Sequence, residues 1–78
     1  MTASEAVKRL ERALGWNPAW REKECEPYAD GDTLGYRINA AKRAATHALR
    51  IGVCGATRFK KLVDAFYALE EATKASTP

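Results

Sequence analysis

The sequence predicts an all-α protein, a small helical bundle formed by the whole chain, 1–78, as one domain. Three observations lead there. Large apolar residues recur at spacings of three and four over long stretches, the period of a helix face. No segment alternates apolar and polar residues as a half-buried strand would. Gly, Pro, Asn and Thr stand at the joints between the periodic stretches, where helices start and stop. Three main helices are expected, over about 3–14, 33–50 and 57–74, with a short one near 18–24 and a frayed tail at 75–78.

For the first helix, Thr2 and Glu5 have the spacing of a capping box, in which side chains satisfy amides unpaired at a helix start. Ala3, Val7, Leu10 and Leu14 share a face. Gly15 supplies the left-handed stop, and Trp16 after it is placed to fold back on Leu10. Asn17 and Pro18 then open the short helix, Asn17 as cap and Pro18 preset for the first helical position. The stretch EPYADGD reads as a loop.

Asp32 is the expected cap of the next helix, whose stripe is Leu34, Ile38, Ala41, Ala45 and Leu49. Gly35 near its start moves the expected onset of regular helix toward Arg37. At 100° per residue, Arg43, His47 and Arg50 fall together on the opposite face. Gly52 ends it. Thr57 is the expected cap of the last helix, with Phe59, Leu62, Val63, Phe66 and Leu69 as its stripe. Arg58, Lys60 and Lys61 sit in its first turn, at the positive end of its dipole. Glu70 and Glu71 sit near the negative end.

Charge layout is the most unusual feature. Residues 1–32 carry five basic and seven acidic side chains. Residues 33–61 carry seven basic ones (Arg37, Lys42, Arg43, Arg50, Arg58, Lys60, Lys61) and no acid, and residues 62–78 carry one basic and three acidic. A window of one sign points to an anionic partner. No apolar run is long enough to span a bilayer, and the charged start has no signal-peptide core. The expectation is a cytoplasmic protein with no membrane contact. Cys25 and Cys54 read as two free thiols, with a single bridge between them left open.

The stretch RIGVCGATRFKK joins the last two helices. It is not a phosphate-binding loop: Gly52 and Gly55 are too close, no Lys-Ser or Lys-Thr follows, and a helix rather than a strand precedes it. From Ala48 onward the pattern resembles a helix-turn-helix, with a small residue at the helix crossing, Ile51, Gly52 and Val53 at the turn, and Thr57 opening the second helix. The resemblance covers about 20 residues and implies DNA contact. The pattern departs from the motif at Arg58 and Lys61, which stand where buried residues belong, while Phe59 and Leu62 come one step late. His47 also stands where an apolar residue is expected. A helical hairpin with a glycine-rich bend explains the same residues.

Catalysis and metal binding are not expected. Cys54 between two glycines, with His47 upstream, lacks a third group to position the pair. Cys25, His47 and Cys54 fall short of a zinc ligand set. The carboxylate pairs, among them Glu70–Glu71, read as solvated faces. No cofactor is implied. The sequence therefore reads as a non-enzymatic basic module. It would contact nucleic acid, DNA or RNA, or another anionic surface through Arg43, His47 and Arg50, joined across the bend by Arg58, Lys60 and Lys61. The alternative is a partner-binding inhibitor. In style the chain resembles small accessory proteins of phages and mobile elements, including anti-CRISPR proteins. That likeness implies docking on an acidic patch of a host complex, with Trp16, Trp20 or Tyr36 as anchors. A third reading is a homodimer formed through the Ala41–Ala45 side.

Overall fold

Helix α1 spans Ala3–Ala13. Thr2 caps it as expected: its hydroxyl oxygen accepts from the Glu5 amide at 3.2 Å. At the other end Gly15 takes φ +85°, which only glycine adopts without strain. Its amide donates to the Arg12 carbonyl at 3.0 Å and the Trp16 amide to the Glu11 carbonyl at 2.8 Å. These are the two bonds of a Schellman stop, and they return the chain so that Trp16 packs against the core. Helix α2, Pro18–Cys25, follows at once. The Asn17 side-chain oxygen accepts from the Ala19 amide at 3.0 Å, so the expected cap and first residue are both in place.

Helix α3 spans Thr33–Ile51 and α4 spans Ala56–Ala75. The computed structural model describes residues 2–25, 33–52 and 55–75, and within them there is no strand. The expected cap Asp32, Tyr28 of the expected EPYADGD loop and the thiol of Cys54 lie outside the described residues, as does the side chain of Cys25. Two boundaries differ from expectation. Gly35 lies within regular helix, so α3 does not wait for Arg37. Thr57 is not the cap of α4: the Phe59 amide donates to the Gly55 carbonyl at 3.1 Å, which puts Gly55 at the cap and Thr57 inside the first turn.

The core is built from small residues as much as large ones. Ala6, Val7 and Leu10 of α1 meet Ala41 and Ala45 of α3 and Leu62, Ala65, Leu69 and Ala72 of α4, all buried. The α3 face is the one expected. Because Ala41 and Ala45 are spent inside the chain, they cannot form a homodimer seam, and that expectation is corrected. The α4 face is rotated from its expected stripe. Its buried row is Leu62, Ala65, Leu69 and Ala72, while Phe59 is 43% exposed. The reason is size. α4 packs most extensively on α1, and alanines let two helices approach where a phenylalanine would hold them apart.

The C-terminal end of α1 meets the first turn of α4, so these helices run in opposite senses. Arg58 Nη2 donates to the Leu14 carbonyl at 3.4 Å. This cation is unfavourable at the start of its own helix and favourable at the end of α1, where carbonyls are unpaired and the dipole is negative.

One buried ion pair ties α1 to α3. Glu11 is 0% exposed and Arg37 is 4% exposed. Arg37 Nη2 donates to Glu11 Oε1 at 2.6 Å and Arg37 Nε to Glu11 Oε2 at 3.3 Å, the two-pronged geometry a guanidinium and a carboxylate share. Arg37 Nη2 also reaches the Pro18 carbonyl at 3.4 Å, which brings the start of α2 into the same cluster. Arg21 approaches Glu11 at 4.0 Å and lies over the Trp16 ring, 4.7 Å from its centroid.

Candidate functional site

The outward face of α3 is the candidate site. Because its apolar side is turned inward, Arg43, His47 and Arg50 project to solvent, all three exposed. Arg43 and Arg50 are two turns apart, about 10.5 Å along the helix axis. With Lys42 they line an open groove whose other wall is Phe66 of α4. The Lys42 ammonium lies 5.9 Å from the Phe66 ring centroid, which holds this cation toward α4. Thr46, also in the groove, donates its hydroxyl to the Lys42 carbonyl at 2.8 Å. No acidic side chain lines this groove among the described residues.

The expected basic residues of α4 divide. Arg58 and Lys61 line a second concavity with Arg12 and Gly15, on the side of α4 that faces α1. They do not share the groove of Arg43, His47 and Arg50. Lys60 lies one helical step away, on the row that continues to Val63 and Tyr67, and is exposed. Arg37, counted in the acid-free window, contributes no surface charge because Glu11 holds it in the core.

Among the expected anchors, Trp20 is 68% exposed and Tyr36 is 45% exposed. Trp16 is different: it is half-buried against the core and covered by Arg21. Its remaining exposed part lines a shallow concavity with Asn17 and Trp20.

Next to the cationic groove lies a cleft between α3 and α4 that the sequence reading did not single out. Leu49, Val63, Phe66 and Tyr67 line it, with Arg50 and Thr46 on the side shared with the groove and Glu70 on the other. Two signals in the sequence point there. Lys42, Thr46 and Arg50 follow each other at four-residue steps, one row of α3. Val63 and Tyr67 do the same on α4. The reading missed Tyr67 because it assigned the large apolar residues of α4 to a single inward stripe.

No group of three or more His, Cys, Asp or Glu side chains is placed to hold a metal ion among the described residues. None of the described helices is long and apolar enough to cross a membrane. Compared with protein-family models, curated proteins and solved structures, the chain finds no match.

Proposed function

We propose that this chain is a non-enzymatic binding module that takes the phosphate backbone of nucleic acid on the outward face of α3. The observation that carries the reading is the groove lined by Lys42, Arg43, His47 and Arg50 with no carboxylate in it. Arginine and lysine on phosphate give affinity without reading sequence, and the affinity arises largely from release of condensed counterions. The two-turn spacing of Arg43 and Arg50 is about the rise of three phosphates along one strand.

The test is fluorescence anisotropy with labelled DNA at low salt. The native protein binds, and Arg43→Ala and Arg50→Ala each weaken binding by about 2- to 5-fold, the range of an exposed ion pair. Lys74→Ala, at the far end of α4, leaves it unchanged. A titration with no rise in anisotropy at low salt overturns the reading.

A second reading, docking on a protein partner in the manner of a phage-type inhibitor, is favoured by Trp20. An exposed tryptophan is the side chain most often found as an interface anchor. A pull-down from nuclease-treated lysate separates the two readings. A partner retained by the native chain and lost with Trp20→Ala supports docking. Loss of all partners on nuclease treatment supports nucleic acid.

A further inference from the structure

The cationic groove and the apolar cleft are not independent. Arg50, Thr46 and Phe66 border both, and the Lys42 ammonium sits beside the Phe66 ring. A ligand whose negative charge rests on Lys42 and Arg50 therefore borders an open, mainly apolar recess of about 470 Å³ that shares Arg50 with the groove. Its walls are Leu49, Val63, Phe66 and Tyr67, and Tyr67 is 62% exposed at the surface. Glu70, which lines the cleft but not the groove, carries the same sign as phosphate and so disfavours a phosphate inside the cleft.

A nucleotide has this combination: an anion and a flat, uncharged, polarisable ring joined by a sugar. In a duplex the ring faces are stacked and closed off. In a single strand they are free to lie on aromatic side chains. We infer that the site takes single-stranded nucleic acid, with phosphates on Lys42, Arg43 and Arg50 and one unpaired base seated in the α3–α4 cleft against Tyr67 and Phe66. This rests on the phosphate-binding reading above and narrows it from nucleic acid to the single-stranded form.

The experiment compares four labelled probes at one salt concentration. They are an oligodeoxythymidylate of about twelve nucleotides, an abasic strand of the same length, a duplex of the same length, and a peptide of alternating glutamate and phenylalanine with matched charge. The intact single strand is expected to bind about 5- to 150-fold more tightly than the abasic strand, the contribution of one stacked base. The duplex and the peptide bind no better than the abasic strand. Tyr67→Ala, at an exposed position outside the core, lowers the ratio of intact-strand to abasic-strand affinity. Equal affinity for intact and abasic strands overturns the inference, as does a duplex or peptide that binds as well as the single strand, or a ratio that Tyr67→Ala leaves undiminished. An abasic strand that binds and is weakened by Arg50→Ala, with no preference for the intact strand, overturns the base cleft alone. Absence of binding to every DNA probe overturns both readings.

Discussion

At the scale of single residues, the pair Glu11–Arg37 decides most. Both charges are removed from water, and the two-pronged contact between them is what chiefly compensates their desolvation. Glu11→Ala takes away the carboxylate that Arg37 donates to twice, and Arg37→Ala leaves the buried Glu11 carboxylate with only the more distant Arg21, so each should cost about 3–5 kcal/mol in urea unfolding. Replacing both with leucine removes both charges at once and should cost far less than the sum of the single losses. The pair was not legible in the sequence because its members are 26 positions apart and neither helix reveals its partner. There was a partial signal: Glu11 stands four residues after Val7 and next to Leu10, inside the apolar row of α1. An acid in that row needs a buried cation. Arg37 was instead counted with the surface charges. Trp16 is half-covered for a local reason: the Gly15 stop returns the chain and lays one side of the indole against the core.

At the scale of elements, the ends of α1 and the start of α2 were legible, the starts of α3 and α4 were not, and helix faces were legible only in part. Caps and stops are local chemistry. Thr2, Gly15, Asn17 and Pro18 act where the sequence places them, because each needs only its near neighbours. Faces depend on what lies opposite. The stripe expected for α4 ran through Phe59, Leu62, Val63, Phe66 and Leu69; of these Leu62 and Leu69 are fully buried and the other three are not. The buried row runs through Leu62, Ala65, Leu69 and Ala72, because α1 approaches closely and selects small side chains. Leu69→Ala should therefore destabilise by about 2–5 kcal/mol, and Phe59→Ala, although it removes a larger side chain, should cost clearly less. Thermal denaturation followed by circular dichroism checks both. Equal losses at the two positions would contradict the rotated face. The same rotation turns Val63 and Tyr67 toward α3 and creates the cleft beside Arg50. The structure thus supplies a feature that a single-stripe reading of α4 had hidden.

At the scale of the whole molecule, the acid-free window from 33 to 61 resolves into unequal parts. Arg37 is neutralised in the core. Arg58 serves the end of α1, and Lys61 lies beside it on the α1 side. Lys42, Arg43 and Arg50 remain together on the outward face of α3, with His47 between them. The radius of gyration is 12.3 Å, close to the roughly 11.5 Å expected of a globular chain this long. A bundle of this size keeps only about 4–12 kcal/mol of stability. Binding substitutions are therefore best made at exposed positions, where the fold does not depend on them. The central claim, that the α3 face binds phosphate, is tested most directly by the slope of log affinity against log salt for a single-stranded oligonucleotide. Three permanent cations on phosphate give a slope of about −2.1, and Arg43→Ala combined with Arg50→Ala should flatten it to about −0.7. A slope that is the same in the native protein and the double variant would contradict the account.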